Sequence, residues 1–351
     1  MYRVAFLLVL VAALGIPGAA SAQTVASTGS ATVVREYAGT IVFSQFDGAS
    51  GLWYLAMRRA GAADVERVAV APSVTRFEAD IGPDTEGRPA LIYQRCSGTP
   101  IVPTGCDLFV YSLAGATGER AVRNANDPNL NDVQPTLWRG RIAWTRVYGS
   151  GKNANPVVYT KTLTAPRSRP STRLPGVPRR RCAEPGILGP GRVCESTTDR
   201  FVTALELWRD NLAMIVRYAC RGCSGIVSLE VRLDDVTDGT ATRVAALASG
   251  LAGQWLVGPS VFAGRLAWYK ACYYAEPACK TTVGPVRYTL ATRRYTRGPP
   301  GPVRVEGFAD TGSLLYENVD CALWPEPSGL DCRIVARPAP PYTPTRPPLG
   351  S

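Results

Sequence analysis

Six times along this chain a short apolar triplet returns with a second apolar stretch behind it, and no other feature restricts the fold as strongly. The triplets are Ile41-Val42-Phe43, Leu91-Ile92-Tyr93, Ile142-Ala143-Trp144, Leu212-Ala213-Met214, Leu266-Ala267-Trp268 and Leu314-Leu315-Tyr316. The return stretches begin at Leu52, Leu108, Val157, Ile226, Val286 and Ile334. A spacing of about 50 residues suits a propeller blade and is too long for ankyrin or leucine-rich repeats. A strand precedes the triplet at Asp132 to Trp138, Thr203 to Trp208 and Leu256 to Phe262, and turns follow at Gly140-Arg141, Asp210-Asn211 and Gly264-Arg265. Weaker fourth strands follow at Glu66 to Val70, Arg120 to Arg123 and Thr242 to Leu247. The expected fold is all-β, a six-bladed β-propeller of four-stranded antiparallel blades.

Inner blade strands are covered on both faces, so the triplets need not alternate polar with apolar residues. Ala143, Ala213 and Ala267 let neighbouring sheets approach, and Trp144 and Trp268 fill the wider gap. These are packing residues and not a cofactor site.

Residues 1–22 read as a secretory signal peptide: Arg3, an apolar run from Val4 to Ile16, then Ala20-Ser21-Ala22 before Gln23. Export to the periplasm, the cell envelope or the medium is expected, with cleavage near Ala22 and no stable membrane insertion. Residues 23–337 form one propeller domain, with a Pro/Gly/Arg-rich insert at 174–199. Residues 338–351 read as an extended, disordered tail, since proline removes ladder donors. A strand from Thr24 to Arg35 is expected to complete the last blade and hide its edge.

Export favours disulfides, and the 10 cysteines fall in order. Cys96 and Cys106, Cys220 and Cys223, Cys272 and Cys279, and Cys321 and Cys332 each bracket the turn between the triplet strand and its return strand. Cys182 and Cys194 close the insert. Five local disulfides are expected, each pinning a loop. Cys220-Arg221-Gly222-Cys223 lies between strands and lacks the helix N-terminus that a redox thiolate needs, so a hairpin-tip bridge is preferred to redox or zinc chemistry.

Two stretches carry a resemblance. Ile41 to Leu55, through Phe43-Ser44 and Asp47-Gly48 to Leu52-Trp53-Tyr54, resembles the blade motif of TolB-like, or WD40-like, β-propeller repeats; Pro83-Asp84-Thr85-Glu86-Gly87-Arg88 before Leu91-Ile92-Tyr93 is similar to its Ser-Pro-Asp-Gly signature. The resemblance implies a binding or scaffold propeller and supplies no catalytic residues.

The chain has no histidine, which removes imidazole-based triads, general bases and metal ligands. Paired carboxylates survive that exclusion, and Asp127, Asp132, Glu206, Asp210 and Asp310 are the loop and strand acids available. The run Asn124 to Asp132 is the densest set of oxygen ligands; Asx turns are the first explanation, and Ca²⁺ on Asn126, Asp127, Asn131 and Asp132 the second. The net charge of +11 is spread as arginine through the whole chain, a solvated basic surface and not a nucleic-acid stripe. The function expected is a monomeric, non-enzymatic module that binds a protein or polysaccharide through loops at one channel mouth, with no cofactor. The rival is a carbohydrate-active enzyme with two carboxylates at that mouth.

Overall fold

The computed structural model describes residues 23–30, 32–99, 103–115, 118–149, 154–164, 170–175, 198–220, 226–248, 254–272, 284–297, 305–308, 314–319, 332–338 and 343–345. Among them the strands form six antiparallel sheets, paired between sequence neighbours within each sheet apart from additions by the two ends of the chain. The first strands of these sheets, in chain order, are Val34–Tyr37, Glu78–Pro83, Asn131–Trp138, Thr198–Trp208, Gln254–Phe262 and Val305–Phe308. Every apolar triplet lies in a second strand and every return stretch in a third.

The sheets pack face to face. Among the described residues, separate apolar clusters fill the gaps between the sixth and first sheets, first and second, second and third, third and fourth, and fourth and fifth. Trp144 faces Ala90 and Ile92 of the second sheet, and Trp268 faces Ala213 and Ile215 of the fourth. A large ring is thus set against a small residue of the preceding sheet, the interdigitation that close packing demands. Four-stranded antiparallel sheets stacked side by side, with the inner edges of the first to fifth about one axial cavity, make the fold a β-propeller.

Four departures from the sequence reading have physical causes. The stretch from Thr24 to Arg35 is two strands, not one: Gln23–Thr28 pairs with Cys332–Pro338 in the sixth sheet, and Val34–Tyr37 opens the first. Val25 and Ala26 are buried with Ile41 and Phe43, so this strand seals the junction of the two sheets. Three inner turns sit one residue earlier than read, as Arg139-Gly140, Arg209-Asp210 and Ala263-Gly264, between the pairs Trp138↔Arg141, Trp208↔Asn211 and Phe262↔Arg265, and the first sheet has the matching turn Ala38-Gly39 between Tyr37 and Thr40. Their first residues have φ of 47° to 55°, the left-handed geometry that matches strand twist in two-residue hairpins. The insert begins later than Leu174, a buried core residue, and ends before Thr198, where the fourth sheet starts. In the tail, Thr343–Thr345 adds a fifth strand beside Arg294–Arg297. Pro344 is tolerated because it lies on the sheet edge, where a missing N–H leaves no partner unpaired.

Candidate functional site at the axis

The first strands carry a shared irregularity. In the third to sixth sheets the register shifts between Val133 and Thr136, Val202 and Ala204, Val257 and Ser260, and Val305 and Gly307. A bulge re-aims the residues it contains, and here Gln134, Pro135, Thr203 and Gly258 line an axial cavity of about 180 Å³. Val33, Arg35, Arg76 and Glu78 complete much of the wall from the first and second sheets. Gln134 has φ of 54°, a strained value for a residue with a side chain.

Arg35 crosses the cavity. Its Nη1 donates to Glu206 Oε2 at 2.9 Å and to Pro259 O at 3.0 Å, and its Nη2 donates to Leu205 O at 3.1 Å. One guanidinium therefore ties the first sheet to the fourth and fifth. A second tie runs through Thr136, whose Oγ1 donates to Asp80 Oδ2 at 2.7 Å and accepts from Leu207 N at 2.9 Å; Leu137 N adds a bond to the same carboxylate oxygen at 2.9 Å. Loss of water pushes the Asp80 carboxyl up, against the pull of Arg35 and these donors. Glu78 is also pushed up by its enclosure, with Arg76 and Arg35 opposing.

Arg76 differs from Arg35. Among the described residues its guanidinium makes no hydrogen bond or ion pair, and its interaction is the longer-range one with Glu78. The cavity lies toward the end where the first strands begin, which is the end carrying the turns between second and third strands. The Cys96–Cys106 disulfide closes such a turn. Cys106 N donates to Asn131 Oδ1 at 3.2 Å, which fixes that loop to the start of the third sheet's inner strand.

The opposite end is closed by aromatic rings. Tyr37, Trp138, Trp208 and Phe262 each end an inner strand, and successive ring centroids are 6.0, 5.9 and 6.3 Å apart. Arg209 stacks on Trp208 at 4.5 Å. Edge and tilted contacts of this kind are favourable beyond simple burial.

Of the singled-out acids that lie among the described residues, Glu206 reaches this wall, by its ion pair with Arg35. Asp132 turns back into its own sheet, where Trp144 Nε1 donates to it at 2.7 Å and Arg146 Nε at 2.8 Å. Asp210 pairs with Arg141 at the aromatic end, and Asp127 accepts from Asn129 N at 3.0 Å in an Asx turn. Asp310 lies outside the described residues. Of the calcium candidates, Asn126 bonds both Leu108 N and Leu108 O, Asn131 holds Cys106 N, and Asp132 holds Trp144 and Arg146. Among the described residues no three His, Cys, Asp or Glu side chains group as a metal site. Cys332 is disulfide-bonded, and Cys182, Cys194, Cys223, Cys279 and Cys321 lie outside the described residues, as do the side chains of Cys220 and Cys272.

Arg35, Arg76, Glu78, Asp80 and Gln134 escaped the sequence reading. Their signal was present as charged or amide residues within or just before the strand ahead of each triplet, a place otherwise expected to be apolar.

No protein-family model matches the chain, and no curated protein does. Solved structures of similar shape include an α-L-arabinanase from Penicillium chrysogenum complexed with arabinobiose, with 12% identity, 92% of this chain and 99% of that one covered, and a TM-score of 0.49. An α-L-arabinofuranosidase from Fusarium graminearum matches at 8% identity over 88% of this chain and 93% of its own, TM-score 0.48. An acylaminoacyl peptidase from Pyrococcus horikoshii matches at 6% identity over 93% of this chain and 53% of its own, TM-score 0.45. The assignment as a β-propeller rests on the strand topology.

Proposed function

We propose that the protein is an exported, non-catalytic propeller, closed as six TolB-like blades, that binds a glycan or protein ligand at the loop-bearing end of its channel. The observation that carries this reading is the gathering of Arg35, Arg76, Glu78 and Gln134 from three different sheets around one axial cavity. Concave sites with a few convergent polar groups are where propellers and other folds bind ligands. Cleavage after Ala22 would leave Gln23, the first residue of the closing strand, at the mature N-terminus. Local disulfides at the remaining cysteine pairs would order the loops around the same mouth. The protein acts as a monomer in this reading.

The test is an array of cell-envelope polysaccharides and purified envelope proteins probed with the mature chain, read for saturable binding and, in parallel, for release of reducing ends. Saturable binding without release supports the proposal. A second reading, a glycoside-cleaving enzyme, is favoured by one observation: Glu78, held toward its neutral acid form, and Glu206 stand on different sheets about the same channel. Two carboxylates in unlike settings are what an acid and a base require. Sugar release that disappears in both Glu78→Gln and Glu206→Gln would replace the first reading with the second.

A further inference from the structure

The geometry points to the axial cavity as a site for one carboxylate group, that of an organic acid such as a sugar acid. This deepens the binding reading above and rests on it.

Three features of the wall carry the inference. Arg35 and Glu206 neutralise each other at 2.9 Å, and the arginine's donors are further taken by Leu205 O and Pro259 O. Arg76 has no such partner among the described residues and presents its guanidinium at the cavity. An arginine fork left without an acceptor beside an enclosed space is matched by a carboxylate, which can take two parallel N–H bonds. Gln134 adds a further donor: its Oε1 accepts from Thr145 Oγ1 at 3.3 Å, and its Nε2 has no partner among the described residues.

The groups facing the cavity are Arg35, Arg76, Glu78 and Glu206, with Asp80 behind them. Loss of water pushes the Glu78 carboxyl up, with Arg76 and Arg35 opposing. Among the described residues Arg35 is engaged by Glu206, and Arg76 is the cation left facing the cavity for an added carboxylate. The cavity, about 180 Å³, has room for a carboxylate and the atoms that carry it.

The experiment is calorimetric titration of the mature, disulfide-intact protein with D-glucuronate, acetate, D-glucose and inorganic phosphate at equal ionic strength. Glucuronate and acetate are expected to bind, glucose not. Arg76→Gln is expected to weaken glucuronate binding at least about tenfold, the loss typical of a hydrogen-bonded charge. Its melting curve should stay close to the parent's, because among the described residues Arg76 makes no hydrogen bond or ion pair and only a longer-range interaction with Glu78; Arg76→Lys, which keeps the charge and loses the fork, should fall between in affinity. Affinity should decline as pH rises through the raised range of Glu78, and Glu78→Gln should abolish that decline. A ladder of oligoglucuronides separates the sources: equal affinity per end regardless of length identifies a chain terminus, and binding confined to the monomer identifies a free acid. Equal binding of glucose or phosphate, or an Arg76→Gln protein that binds as tightly as the parent, overturns the proposal. Failure of every small acid while envelope polysaccharide or protein still binds would remove this inference and leave the broader reading standing.

Discussion

Burial pushes the carboxyls of both Asp132 and Asp234 up, but the two differ in their partners. Asp132 is fully buried but accepts from Trp144 Nε1 and from Arg146, so its charge is matched. Removing one member of such a pair strands the other, at a cost of about 3 kcal/mol or more. Asp132→Ala should lower the urea midpoint accordingly, while Asp127→Ala, which loses one Asx-turn bond, should move it little. Asp234 is also buried, yet its Oδ1 has no hydrogen-bond partner, and burial pushes its carboxyl up to about 6 despite Arg232 nearby. A raised carboxyl stabilises the fold in its protonated form: the contribution is complete below the ordinary value of 3.8 and is lost as pH rises through about 6. Asp234→Asn should therefore be more stable than the parent at pH 8, by about 2 kcal/mol, and no more stable at pH 4. Thermal melts at the two pH values decide it, and a stabilisation independent of pH would show that charge is not the cause.

At the scale of elements, neighbouring sheets approach more closely than their side chains alone require. Gly82, in the inner strand of the second sheet, lies where an added Cβ would stand 2.1 Å from Leu137 O of the third. The backbone there is held by Leu137 N on Asp80 and by Gly140 N on Pro83 O at 3.2 Å, so it has little room to yield. Gly82→Ala should destabilise by about 2 kcal/mol or more, as overpacked cores do. Gly48, with no atom within 4 Å of its would-be Cβ, should accept alanine with little change, and the contrast is read from denaturation midpoints. The Cys96–Cys106 bridge acts locally: its sequence separation is 10 residues, and closure of a loop that short is worth roughly 3 kcal/mol in the chain-entropy model. Non-reduced peptide mapping should recover this pair, with Cys332 bound to Cys321 and the other cysteines in their local pairs.

At the scale of the whole molecule, the N-terminal strand closes the array. Gln23–Thr28 hydrogen-bonds to Cys332–Pro338 across nearly the full length of the chain, and its Val25 and Ala26 enter the core shared with the first sheet. Deleting residues 23–28 should expose that edge, lower Tm by about 10 °C or more and make unfolding less cooperative. Deleting residues 343–345, which add an outer edge strand and no core residue among those described, should leave Tm nearly unchanged. Equal losses from both deletions would mean that the N-terminal strand has no special role in closure.

The repeat, the class of fold and the packing role of the triplets were legible in the sequence. They follow from local pattern: an apolar triplet at regular spacing can bury itself only between stacked sheets, and Ala213 opposite Trp268 is the result. Even the division of labour between the alanines and tryptophans could be read this way, because it depends on volume alone. The site was not legible. Glu206 and Asp132 looked alike as acids on inner strands, and only the partners that the folded chain sets beside them decide that one carboxylate meets Arg35 and the other Arg146. Arg35 and Arg76 looked like two more members of a basic surface. Their difference arises from ring closure, which brings Glu206, Leu205 O and Pro259 O, more than 160 residues away along the chain, within reach of one guanidinium and leaves the other facing the cavity. Pattern along the chain determines which residues are buried; the geometry of the closed array decides which buried charges meet.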